Sequence, residues 1–463
     1  MSAQVLADTE SVCPICLERL AAQRVAVDDN IYLVKTCPQH GRFSTIIWRG
    51  LASYTRWGAA THAKVPAPVC ETPVARGCPF DCGLCPEHRQ HSCCVLLEVT
   101  QRCNLRCPVC FAAAGAQHAD PDLAEIRQWL TLLQAHGSAL NIQLSGGEPT
   151  VRNDLPQIVA LVRSMGFDFV QINTNGIRLA KDAAYAKRLA DAGLDCVFLQ
   201  FDGLSDASYR QIRGIDLVAR KQAAIERCRD LGLGVVLVPT LVPGVNIEEI
   251  GAIIDFAAQN TPCVRAVHFQ PISYFGRYPS APRDSDRITL PEVMGEIERQ
   301  TAGRVLASSF NPGSAENAYC SFNGSFYVDA AQQIHPTQSR ASCGCGAPPK
   351  AADARDAVKH ARQVVAAQWV RPAQPSPSTC CPGVSVVSFD TFLAERRRSL
   401  SISGMAFQDA WTLDLERLRD CFIHVVSPDQ RVIPFCAYNL SAASGQTLYR
   451  ETCASIARQE ITS

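Results

Sequence analysis

The chain has 463 residues, 47% of them hydrophobic and 19% charged, enough apolar side chain for a large buried core with smaller modules attached. Its 44 Lys and Arg balance 44 Asp and Glu, so no bulk field draws it to nucleic acid or to an anionic membrane surface. No apolar run reaches the roughly 18 residues of a transmembrane segment, and the opening stretch lacks the basic and apolar regions of a signal peptide, so a cytoplasmic location is expected.

In a reducing compartment, 23 cysteines point to metal rather than to disulfides, and they fall in groups. Residues 1–70 read as a small metal-supported module, cysteine-rich and short of long periodic segments. Its "CPIC" (13–16) and "TCPQHG" (36–41) supply Cys13, Cys16, Cys37 and His40, with Cys70 as a substitute for His40. Four soft or borderline donors on two knuckles suit a tetrahedral zinc or a rubredoxin-like mononuclear iron. The segment 71–94 carries Cys78, Cys82 and Cys85 as C-x-x-x-C-x-x-C, with Cys93 or Cys94 near enough to close a fourth corner. A fully ligated iron–sulfur cluster there conducts electrons or supports the fold.

From 95 to 276, apolar runs at 95–99, 139–144, 168–173, 195–201, 233–238 and 264–270 alternate with amphipathic stretches such as "DLPQIVALVRSMG" and "KDAAYAKRLADAG". Six strand–helix units, each roughly thirty residues long, predict a parallel α/β sheet, open or curled into a partial barrel. Chemistry in such a sheet belongs on loops at the carboxyl ends of the strands. The loop after the first strand holds Cys103, Cys107 and Cys110. Three thiolates hold three corners of a [4Fe–4S] cube and leave one iron without a protein ligand, the open-position logic of a catalytic metal site. Only this triplet follows a first strand, which makes it, rather than Cys78, Cys82 and Cys85, the catalytic group. Cys196, Cys228 and Cys263 stand alone in apolar surroundings and receive no chemical role.

Residues 277–463 form a C-terminal extension in which "TLPE" (289–292) is a capping box and "RPAQPSPST" (371–379) an extended linker. Further on, Cys421 and Cys436 flank a hairpin at "SPDQ", and with Cys320 they are expected to hold a second auxiliary cluster. Its fourth ligand stays open among Cys343, Cys345, Cys380 and Cys381, and His424 reads as a core histidine.

"CNLRCPVCF" resembles the signature of radical S-adenosylmethionine (SAM) enzymes, in which SAM chelates the open iron through its amino and carboxylate groups. The resemblance implies an α/β fold, a partial (β/α)6 radical SAM barrel with a cysteine-rich N-terminal metal module and a C-terminal auxiliary-cluster region. It gives roles to the strand-end loops. Gly146 and Gly147 of "SGGEPT" let backbone approach the ligand, Glu148 accepts from the SAM ammonium, Asn175 and Asp202 serve the ribose, and "PTLVPGVN" lines the adenine. With the flanking motifs included, the chain resembles the branch containing the archaeal tetraether lipid synthase and a pterin-methylating enzyme.

That branch implies one catalytic [4Fe–4S] cluster, one or two auxiliary clusters, a mononuclear Fe or Zn, and an electron donor such as flavodoxin or ferredoxin. The implied reaction cleaves SAM reductively to a 5′-deoxyadenosyl radical and forms a carbon–carbon bond at an unactivated carbon of a small molecule, by methylation or coupling. Coupling of lipid chains is the alternative within the branch. A non-catalytic iron–sulfur relay is the alternative outside it, and it leaves the Gly-Gly-Glu and Asn-Gly loops without a purpose.

Overall fold

The computed structural model describes residues 3–59, 70, 72–115, 119–136, 140–313, 315–337 and 398–450. Cys343, Cys345, Cys380, Cys381 and the 371–379 linker lie outside the described residues.

The first module is an antiparallel meander of β1 (Ala3–Val12), β2 (Arg19–Val27), β3 (Asn30–Cys37) and β4 (Gly41–Arg49), followed by helix α1 (Leu51–Gly58). The sequence had suggested no long periodic segment here, and the structure corrects that. Along β3 buried and half-exposed residues alternate, the period-2 signature of a strand with one face covered, but Tyr32, Lys35 and Thr36 blur the contrast.

The large sheet is built on the six apolar runs. They form β5 (Cys94–Thr100), β6 (Asn141–Gly146), β7 (Phe169–Thr174), β8 (Cys196–Gln200), β9 (Gly234–Val238) and, after the two-residue β10 (Thr240–Leu241), β11 (Val264–Pro271). All six pair in parallel in the order β5-β6-β7-β8-β9-β11. The crossovers carry α2 (Leu123–Ala135), α3 (Leu155–Ser164), α4 (Ile177–Lys181), α5 (Ala183–Asp191), α6 (Asp206–Arg213), α7 (Val218–Asp230) and α8 (Ile250–Gln259). Ile126, Leu130, Ile158, Leu189, Ile225 and Ile253 lie under the helices in the main core, each fully or almost fully buried. Cys196, Cys228 and Cys263 are buried as well.

Past β11 the chain forms α9 (Leu290–Gln300), capped as its sequence indicates: Glu292 Oε2 accepts from Thr289 N at 2.7 Å and Thr289 Oγ1 at 2.8 Å. The remaining strands, β12 (Asn311–Pro312), β13 (Ser321–Val328), β14 (Ile334–Pro336), β15 (Ser399–Met405), β16 (Ile423–Val426) and β17 (Val432–Pro434), join the same sheet. β15 pairs in parallel with β11 at one side of the six-strand core, and β16 with β5 at the other. The sheet has 13 strands and its end strands, β12 and β17, do not pair with each other among the described residues, so it is open rather than a closed barrel. β16 and β17 make the hairpin expected around "SPDQ".

Candidate active site and the cysteine groups

The carboxyl ends of β5 and β6 are locked together by backbone. Gly147 N donates to Thr100 O at 2.8 Å and Glu148 N to Arg102 O at 2.9 Å. Gly146, at φ 123°, and Gly147 are glycines because a Cβ would run into the Thr100 and Arg102 carbonyls. The close approach they permit is to the end of β5 and the start of the cysteine loop, and both glycines also stand on the cavity wall beside the three cysteines. From the other side Arg277 exchanges two backbone hydrogen bonds with Cys110, at 2.9 and 3.0 Å, while its Nε donates to Cys107 O at 2.9 Å. Sequence reasoning missed this clamp, since nothing in "YFGRYPS" marks Arg277 as a partner of a distant loop.

Cys103, Cys107 and Cys110 line one cavity of about 250 Å³, and the same cavity is bounded by Gly146, Gly147 and Glu148. Among the described residues, no fourth cysteine lines it. Burial pushes the Cys103 thiol up to about 12 and raises Cys107 as well, against the pull of Arg213. Three sulfurs with an open side fit a [4Fe–4S] cluster that leaves one iron for an exchangeable ligand.

Glu148 is buried, and its carboxylate joins two loops. Oε1 accepts from Thr150 N at 3.0 Å, Thr150 Oγ1 at 2.5 Å and Thr174 Oγ1 at 2.7 Å, while Oε2 accepts from Asn175 N at 2.7 Å. Only Oε2 retains room for another donor such as an ammonium. Asn175 also lines the cavity, with Nδ2 donating to Asn104 Oδ1 at 2.7 Å and Oδ1 accepting from Ile177 N at 3.0 Å.

Asp202 was expected to face a ribose, and the structure places it elsewhere. It is fully buried and off the cavity wall, accepting from Arg213 Nε at 2.8 Å, Arg213 Nη2 at 2.9 Å, Gln200 Nε2 at 2.9 Å and Thr240 N at 3.1 Å. Arg213, which sequence reasoning did not single out, lines the cavity instead. From "PTLVPGVN" only Thr240 reaches the wall; Asn246 is spent bracing Asp202 O and Thr240 O, both at 2.8 Å.

Deeper in the cavity the inward-facing positions of successive strands present Gln143, Asn173, Gln200, His268 and Gln270. Gln143 hydrogen-bonds Asn173, and His268 Nδ1 pairs with Ser403 Oγ of β15 at 2.9 Å. Burial pushes the His268 imidazole down to about 4, so it is neutral near pH 7. Phe111, Phe275, Phe407 and Phe435 give the cavity an apolar side. Sequence patterning misses this row because a polar residue inside a buried strand reads as an interruption.

The other cysteine groups separate by geometry. The candidate ligand atoms of Cys13, Cys16, Cys37 and His40 all lie within 4.8 Å of one another, as a single tetrahedral ion requires. His40 Nδ1 is 3.4 Å from Cys37 Sγ and 3.6 Å from Cys13 Sγ, and Cys70 is exposed, so His40 is the fourth donor of that set. Cys78, Cys82 and Cys85 line a second small cavity, with His88 and Glu87. Cys93 is not on its wall and packs instead with Ala315 and Phe422, while Cys94 donates to Gln143 Oε1 at 3.2 Å inside the sheet. Cys320, Cys421 and Cys436 line a third cavity, which shares Phe407 and Ile423 with the large one and Leu418 with the second. His424 is fully buried, as expected of a core histidine.

Among known proteins, residues 97–257 match the family described as the radical SAM superfamily, and residues 5–49 match the HMPTM N-terminal zinc ribbon domain. The chain is 36% identical to 7,8-dihydro-6-hydroxymethylpterin dimethyltransferase of Methanocaldococcus jannaschii, over 93% of each protein. It is 31% identical to GTP 3′,8-cyclase of Chlorobaculum tepidum over 47% of this chain and 66% of that one. Among solved structures, Streptococcus suis SuiB bound to precursor peptide SuiA covers 46% of each chain with a TM-score of 0.39 and 16% identity. No helix among the described residues is long and apolar enough to cross a membrane.

Proposed function

The chain belongs to the radical SAM superfamily, and on that premise we propose that it methylates carbon on a pterin-like heterocycle. Cys103, Cys107 and Cys110 would hold a [4Fe–4S] cluster that, with SAM and one electron from a donor such as flavodoxin or ferredoxin, would supply the radical chemistry for removing hydrogen from an unactivated carbon; the new methyl carbon would come from a separate one-carbon donor, which is left one carbon shorter. The chain's own residues position and enclose. Glu148 Oε2 and the Asn175 amide, both on the cavity wall, would orient the amino acid and ribose ends of the nucleotide, and Arg213, held by Asp202, puts a fixed positive charge beside the cysteine loop. Phe111, Phe275, Phe407 and Phe435 keep water from a reactive radical.

The observation that carries the substrate is the wall of Gln143, Asn173, Gln200, His268 and Gln270 in the same cavity as the three cysteines. Primary amides and a neutral imidazole offer paired donors and acceptors, which match the alternating ring nitrogens, amino and oxo groups of a pterin. A tunnel for two lipid chains would be apolar throughout, whereas Gln143, Asn173, Gln200, His268 and Gln270 interrupt this wall with hydrogen-bonding groups. The Methanocaldococcus relative, a 7,8-dihydro-6-hydroxymethylpterin dimethyltransferase, points the same way.

The test is anaerobic turnover of reconstituted protein with dithionite, SAM, 7,8-dihydro-6-hydroxymethylpterin and a pool of soluble one-carbon donors, read by mass spectrometry. Methylated pterin with stoichiometric 5′-deoxyadenosine is expected, and His268→Ala raises KM for the pterin by about tenfold, ~1.4 kcal/mol, without abolishing SAM cleavage. SAM cleavage that leaves the pterin unmodified under every donor condition would overturn the substrate assignment.

A further inference from the structure

We propose that His88, and not Cys93, supplies the fourth protein ligand of the iron–sulfur cluster held by Cys78, Cys82 and Cys85. This rests on the reading that those three cysteines hold a cluster.

The position of Cys93 argues against it as a ligand. Its N–H donates to Phe422 O at 2.8 Å and its carbonyl accepts from Asn141 N at 3.1 Å, which pins it at the β5–β16 edge of the sheet. Its side chain packs with Ala315 and Phe422, away from the cavity that Cys78, Cys82 and Cys85 line.

His88 already lines that cavity. Its N–H donates to Cys85 O at 2.9 Å, closing a turn that folds the ring back toward the cysteines. Its Nε2 lies 2.9 Å from Cys421 O, an acceptor only, so Nε2 carries the ring proton. His424 Nε2, 3.2 Å away, is a second acceptor for the same N–H. The Nδ1 lone pair is thereby left for a metal, with the outer N–H fixed by a carbonyl, as is usual for ligating histidines.

The zinc-ribbon module repeats the same local pattern. Cys37-Pro38-Gln39-His40 and Cys85-Pro86-Glu87-His88 are both C-P-x-H, and in the first the turn brings His40 Nδ1 within 3.4 Å of Cys37 Sγ. What differs is the spacing of the set. Among the described residues, only the first group gathers its candidate ligand atoms within 4.8 Å of one another, so Cys78, Cys82, Cys85 and His88 are spread more widely than one ion allows. A cube with a metal at each corner suits that spread.

A neutral imidazole in place of a thiolate makes the cluster one charge less negative and easier to reduce. The test is pulsed EPR and redox titration of reduced, full-length protein carrying 15N-histidine, with iron counted per chain. A strongly coupled histidine nitrogen is expected, lost in His88→Ala and retained in Cys93→Ala. His88→Cys keeps the iron count and lowers the midpoint potential. If no histidine nitrogen couples while Cys78→Ala lowers the iron count, the cluster stands and His88 is not its ligand. If Cys78→Ala leaves iron and spectra unchanged, the cluster reading itself is lost.

Discussion

Asp202 and Arg213 show how a residue can be conspicuous in the sequence for one reason and matter for another. An Asp after a strand invites a ribose, yet this one is fully buried beneath an arginine that reaches the cavity in its place. Removing one partner of a buried pair leaves the other charge uncompensated, so Asp202→Ala is expected to cost about 3–5 kcal/mol in denaturant unfolding. Arg213→Lys keeps the charge but loses the two-pronged contact, and SAM cleavage, measured as 5′-deoxyadenosine, is expected to fall by about tenfold. Cys103, Cys107 and Cys110 were legible because they fall close together in sequence on one loop. Arg213, Arg277 and the cavity-lining amides were not, because each acts on a partner that only the fold brings near.

Between elements, the junction of β5 and β6 is the tightest contact near the site. Gly147→Ala forces a Cβ against the Arg102 carbonyl, which is backbone and cannot swing away. A loss of about 1–3 kcal/mol is expected, as for overpacking, together with iron lost preferentially from the Cys103 group; thermal unfolding and iron counts of the variant check both. The six parallel strands were legible because strands covered on both faces read as unbroken apolar runs. The meander of the first module and the added strand β15 were harder to read. β15 is "SLSISGM", which alternates polar and apolar residues, but its place beside β11 depends on a partner far away in the chain.

Over the whole molecule, the C-terminal segment ties the metal module to the sheet. Asp414 accepts from Thr9 Oγ1 at 2.8 Å and Arg24 Nε at 2.7 Å, while buried Lys35 donates to Ala410 O at 2.7 Å and Trp411 O at 3.0 Å. Burial raises the Asp414 pKa, but the Arg24 and Thr9 contacts outweigh it and hold the carboxyl below its ordinary value. A depressed folded pKa means stability that is present above the unfolded value of about 3.9 and lost as pH falls through the folded one. Asp414→Asn is therefore expected to flatten the acid limb of the stability–pH curve, measured by urea unfolding below about pH 4. The second and third cysteine-lined cavities share Leu418, and the third shares Phe407 and Ile423 with the large one, so each adjoins the next.

All of this depends on an iron at Cys103, Cys107 and Cys110 that no side chain caps. The most direct measurement is electron–nuclear double resonance on the reduced protein with SAM labelled by 17O in its carboxylate and 15N in its amino group. Coupling of both labels to the cluster, absent in Cys107→Ala, is the predicted result. A reduced cluster on those three cysteines that shows neither coupling, and whose spectrum ignores added SAM, contradicts the account.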